Sequence, residues 1–112
     1  MISSEKNLRS SLSKSKRIVV KVGTRVLCND KGLLDKTSLR KLSYVLAGIA
    51  QTDKQVILVT SGAIGAGLET LKFSKRPSTL PELQMAASVG QPLLMTEYQT
   101  AFRKKGIICG QV

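Results

Sequence analysis

The sequence predicts an α/β fold on a mainly parallel sheet, with elements in the order βαβααβ. Three observations carry this. Two short β-branched apolar runs, "RIVVKVG" (residues 17–23) and "QVILVT" (residues 55–60), read as buried strands. Between them Leu39, Leu42, Leu46 and Ile49 recur at spacings of three, four and three, which is one stripe of a helix. A stretch over 78–106 opens with Ser78 or Thr79 before Pro81 and Glu82, and closes on Lys104, Lys105 and Gly106. Those are the start and stop signals of a further, long helix. Parallel strands need a crossover, and the helix between the two runs supplies it.

The elements follow in order. Residues 1–15, "MISSEKNLRSSLSKS", are Ser-rich and basic, and a flexible extension is expected there. Glu5 and weak amphipathicity oppose the alternative of an organelle-targeting peptide. After the first strand, "TRVLCNDKGLL" reads as a loop, with turn chemistry at Asn29, Asp30 and Gly32. Asp35 or Thr37 can cap the helix that follows. A short helix is expected after Ser61, stopping by 75–77. In the long helix Leu83, Ala87, Gly90, Leu94, Tyr98 and Ala101 keep one phase. Pro92 predicts a kink near 88–92, with two separate helices as the alternative. "GIICGQV" (residues 106–112) reads as the start of a third strand, so 16–112 is expected to be the first part of a domain.

Composition narrows the chemistry. The 112 residues suffice for one small domain, and at 42 % apolar residues the chain is not of disordered type. No apolar run approaches the ~18 residues of a membrane helix. Histidine is absent, and Cys28 and Cys109 stand alone, which excludes common zinc sites and histidine-based catalysis. Two isolated cysteines fit reduced thiols and a cytoplasmic setting. The formal net charge of +11 favours anionic partners. Aromatic residues are few, and Tyr98 and Phe102 share a helical face spaced for burial. No platform for specific nucleic-acid binding is therefore expected.

Ligands of parallel α/β sheets bind outside the carboxyl ends of the strands. Two segments fall there: Lys21-Val22-Gly23-Thr24 and Thr60-Ser61-Gly62-Ala63. Ser61 and Gly62 can present a hydroxyl and backbone N–H groups to a carboxylate or phosphate. Gly65 and Gly67 read better as close helix packing. "SGAIGAG" has neither Walker nor dinucleotide spacing. Lys21 admits two readings: a stem lying along the sheet with its ammonium in solvent, or a charge aimed at phosphoryl oxygens.

Taken together, "RIVVKVGTRVL", "VILVTSGAIGAG" and "LPELQMAASVGQPLLMTEYQTAFRKKGI" resemble the amino-terminal part of the glutamate kinases of the amino-acid kinase family, from about Arg17 to Val112. The resemblance implies a three-layer α/β/α sandwich. It also implies ATP-dependent phosphorylation of the γ-carboxylate of L-glutamate, with Mg2+, as the first step of proline synthesis. The lysine matching Lys21 then contacts ATP phosphates and acts in catalysis, with Gly23 and Thr24 in the adjoining turn. Ser61, Gly62 and Ala63 line the glutamate pocket. A homo-oligomer is implied for the full-length form. The similar kinase domain of bifunctional pyrroline-5-carboxylate synthetases is the alternative. Arg25 and Pro92 depart from the family's usual residues. The family's remaining contacts lie beyond Val112, so the 112 residues are expected to be a fragment unable to phosphorylate glutamate alone. A non-catalytic remnant or basic binding module is the reading from another class.

Overall fold

A computed structural model of the chain describes residues 2–112. Met1, part of the extension expected over 1–15, lies outside the described residues. The elements are α1 (Ile2–Ser13), β1 (Arg17–Val22), α2 (Thr24–Leu27), α3 (Lys36–Ala50), β2 (Gln55–Thr60), α4 (Ala63–Thr70) and α5 (Leu80–Arg103). β1 and β2 pair in parallel, with Val20 opposite Leu58 and Val22 opposite Thr60. The crossover between them contains α2 and α3.

Helix α1 stands where a flexible extension was expected. Leu8 and Leu12 on it are exposed, at 66 % and 72 %. The chain following it is tied down by Lys54, whose Nζ donates to Ser13 O and Ser15 O. Residues 4–13 of α1 are all exposed, and a helix of twelve residues with so little support is marginal. "TRVL", expected as loop, forms the single turn α2. Its closure by Cys28 N–H to Thr24 O at 2.8 Å places Leu27 fully inside the core.

Asp35 is the cap of α3. Its Oδ1 accepts from the N–H groups of Thr37 and Ser38 at 3.0 and 3.3 Å, and Ser38 Oγ donates to Oδ2 at 3.0 Å. Leu39 and Leu46 are buried, while Leu42 and Ile49 pack at the margin of the core, as the stripe predicts. Ser43 is buried on the same face, and its hydroxyl donates to Leu39 O at 2.8 Å. That internal bond removes the desolvation cost of the hydroxyl.

α4 ends at Thr70, inside the expected limit of 75–77. Lys72 takes the left-handed conformation (φ +60°) that glycine usually fills, and Phe73 N–H bonds back to Leu68 O at 2.9 Å. This closes a Schellman motif. α5 runs unbroken through Pro92, so the single-helix reading is the one realised. Its buried positions are Ala86, Gly90, Leu94, Tyr98 and Phe102, a strict four-residue row facing α4, α3 and the sheet. Tyr98 and Phe102 stack with ring centroids 6.1 Å apart.

The third strand is not formed. The backbone leaves α5 through Gly106 (φ +72°), and the N–H of Ile107 is taken up by Phe102 O at 3.0 Å. A groove of about 740 Å³, lined by β2 and residues 107–112 among others, lies between the segment and the sheet. The sheet therefore has two strands. One of its faces, with Val20, Val56 and Leu58, packs on the core. The other leaves Val19, Ile57 and Val59 exposed at 62 %, 47 % and 48 %.

Candidate functional site

The carboxyl ends of β1 and β2 lie side by side, because the register pairs Val22 with Thr60 and Ser61 N–H continues the ladder to Val22 O at 3.1 Å. The two turns that follow are joined. Thr24 Oγ1 donates to Ser61 Oγ at 3.2 Å, across 37 residues of sequence. Gly23, Thr24, Ser61, Gly62 and Ala63 thus belong to one locality.

Lys21 is exposed, one step before Val22 and opposite Val59. Strand alternation puts it on the uncovered face with Val19. The one ion pair among the described residues is Lys36 to Glu97 at 3.3 Å, so Lys21 has no acidic partner there. Its exposed side chain stands near the carboxyl end of β1, two residues before Gly23.

Gly62 is the start of α4 and has φ +106°, a conformation strained for other residues. Its Cα hydrogens face Leu27, Leu34 and Leu94, within 3.5–3.6 Å of a notional Cβ. No side chain caps the first turn of α4. Gly65 and Gly67 do what packing predicts. A Cβ on Gly65 would meet Cys28 Sγ and Gly32 O at 2.7 Å, and one on Gly67 would run into Ala86 O. Gly90 is the matching gap on α5, against Ala63 O.

Thr60, which the sequence places at this strand end, and Tyr98, which it does not, also reach this locality. Thr60 Oγ1 donates to Ser61 O at 2.7 Å and also meets Tyr98 OH at 2.7 Å. Tyr98 was read as a core aromatic only. Its place four residues after Leu94 signalled burial but not the hydroxyl's partner. Burial pushes the Tyr98 phenol above its ordinary range, and the bond to Thr60 opposes this in part. Tyr98 therefore stays protonated and able to donate.

Among the described residues no three carboxylate, cysteine or histidine side chains gather as a metal site. A protein-held Mg2+ does not fit this locality, whose polar groups are an ammonium, hydroxyls and backbone amides. Those groups suit anions. No helix of the described residues is long and apolar enough to cross a membrane.

A parallel βαβ unit with joined glycine turns at its carboxyl end is the class of architecture, and residues 16–112 match the family model described as "Amino acid kinase family". The chain belongs to that family. Among curated proteins it is 46 % identical over 105 residues to a glutamate 5-kinase of Listeria monocytogenes serotype 4b (strain CLIP80459), covering 94 % of this chain and 38 % of that protein. It is 43 % identical over 108 residues to the glutamate 5-kinase of Moorella thermoacetica, covering 96 % and 29 %. With that of Trichlorobacter lovleyi it shares 42 % over 104 residues, covering 93 % and 28 %. The chain thus spans well under half the length of these relatives.

Proposed function

We propose that this chain carries part of the substrate site of a kinase that transfers a phosphoryl group from ATP to the γ-carboxylate of L-glutamate. The observation that carries the reading is the Thr24–Ser61 hydroxyl contact at 3.2 Å at the carboxyl ends of two parallel strands, in a chain similar to glutamate 5-kinases. Ser61, Gly62 and Ala63 receive the carboxylate of glutamate. Gly23 and Thr24 approach the phosphates, since the space where a Gly23 side chain would sit is open within 4 Å. Lys21 neutralises charge on the transferred group. Joining two anions requires positive charge and N–H donors, and this locality has both.

ATP is the phosphoryl donor in this reading, and the 112 residues alone are expected to give no turnover. The setting is cytoplasmic, residues 16–112 are the first part of the kinase domain, and the full-length form is a homo-oligomer in proline synthesis. Titration of L-glutamate into the isotope-labelled chain, followed by amide NMR, tests the reading. Saturable shifts at Ser61, Gly62 and Ala63 that Ser61→Ala abolishes are expected. Shifts that persist unchanged in Ser61→Ala, or none up to tens of millimolar, reject it.

A further inference from the structure

We propose that Tyr98 is a positioning residue: through Thr60 it locks the Ser61–Gly62 peptide in one orientation, so that the Gly62 N–H faces away from the core and toward the ligand. The inference rests on the glutamate-site reading for its ligand, but not for its geometry. Thr60 has one hydroxyl proton, and Ser61 O, a carbonyl, can only accept it, at 2.7 Å. Tyr98 must therefore donate its own proton to Thr60 Oγ1, also at 2.7 Å. The order is fixed: Tyr98 O–H to Thr60 Oγ1, Thr60 O–H to Ser61 O.

The lock acts on the peptide that needs one. Gly62 has no Cβ, so the Ser61–Gly62 plane can turn over at little steric cost. In a trans peptide the carbonyl and the following N–H point in opposite directions. Holding Ser61 O toward Thr60 directs the Gly62 N–H the other way. Tyr98 is well suited as the anchor. It is 2 % exposed, stacks on Phe102 and sits in the last two turns of α5, so its hydroxyl is held by packing. Helix α5 is thereby coupled to the substrate turn without touching substrate.

The test uses the full 112-residue chain, isotope-labelled, with the variants Tyr98→Phe, Thr60→Val and Thr60→Ser. Amide exchange and the shift of Gly62 are read first. L-Glutamate affinity is read second and the thermal midpoint third. Tyr98→Phe and Thr60→Val are expected to displace or broaden the Gly62 amide and to weaken L-glutamate about tenfold. Thr60→Ser, which keeps both hydrogen bonds, is expected to restore both readouts. A Gly62 amide unmoved in Tyr98→Phe and Thr60→Val overturns the lock, as does one moved equally by Thr60→Ser. If Tyr98→Phe unfolds, Thr60→Val carries the test with Tyr98 in place. A chain that binds no L-glutamate, while its Gly62 amide responds as expected, rejects the glutamate reading and supports the lock. Unchanged glutamate binding with an unmoved amide does the reverse.

Discussion

Replacing Gly90 by alanine sets two effects of opposite sign against each other. Alanine is the better helix former by about 1 kcal/mol in a helix interior. The new Cβ, however, would lie inside contact with Ala63 O, 2.6 Å from Gly67 N and 2.8 Å from Ala63 C. All three are backbone atoms, so no side chain can swing aside. Ordinary contact begins at about 3.4 Å, so the Gly67 approach alone must open by roughly 0.8 Å. Parting the helices loosens buried Ala66, Leu68 and Leu94 as well. Overpacking of this kind costs about 3 kcal/mol, the upper end of the usual range, because only backbone can yield. The net expectation is a loss of about 2 kcal/mol or more, which lowers the melting temperature by roughly 8–16 °C. Gly48→Ala, at an exposed position of α3, is the control, because nothing lies within 4 Å of its Cβ. There the propensity term acts alone, and a gain of about 0.5–1 kcal/mol is expected. Thermal melts of both variants by circular dichroism decide it. A Gly90→Ala chain as stable as Gly48→Ala would refute the close crossing of α4 and α5.

Three other outcomes are expected. Hydrogen bonds from Ser38 hold the Asp35 carboxyl below the usual carboxylate range, so its cap stabilises α3 above the unfolded-state value and is lost as pH falls through the lower folded value. The stability gap between the parent and Asp35→Ala, measured by melts from pH 6 to pH 2, should therefore close only at the acid end. Burial pushes the thiols of Cys28 and Cys109 up, despite Arg76 and Arg103 nearby. Both should alkylate more slowly than free cysteine at pH 7.5, with rates still climbing with pH where those of free cysteine have levelled off, as mass spectrometry can follow. Exposed Val19, Ile57 and Val59 on an open sheet face favour association. The double variant Ile57→Thr, Val59→Thr should stay monomeric at higher concentration in light scattering, with folding stability changed by less than about 1 kcal/mol.

Much of this fold was legible because its signals are local. β-Branched runs, a stripe at spacings of three and four, and Asp35 before "KTSL" each act within one element. The residues that escaped depend on partners far along the chain. "TRVL" is helical because Leu27 finds a place among the core leucines, which its own neighbours do not announce. The phase of α5 holds at Gly90, Leu94 and Tyr98, but that Ala86 and Phe102 are the other buried members, with Leu83, Ala87 and Ala101 half-buried, follows from where α4 crosses at Gly90, and a crossing has no signature in one helix alone. Residues 107–112 carry strand composition, yet pairing is a long-range contact that composition does not specify, and the sheet stays two-stranded. At the candidate site, strand ends and glycines were readable. The Thr24–Ser61 contact and the Tyr98 hydroxyl were not, since each spans 37 or 38 residues.

The three glycines after β2 serve two ends that depend on each other. Gly65 and Gly67 have no room for a side chain, one against the Cys28–Gly32 turn and the other against α5. They seat α4 on both the β1 side and the long helix. Gly62 instead takes a positive φ at the point where the chain leaving β2 enters α4. The same turn faces Thr24 because the α4 seat is built partly from residues that follow β1. A substitution at Gly67 would therefore be felt at Ser61 through the helix position. One at Gly62 would change the turn and leave the seat intact. That separation is why packing and ligand handling can occupy one short stretch, residues 61–67.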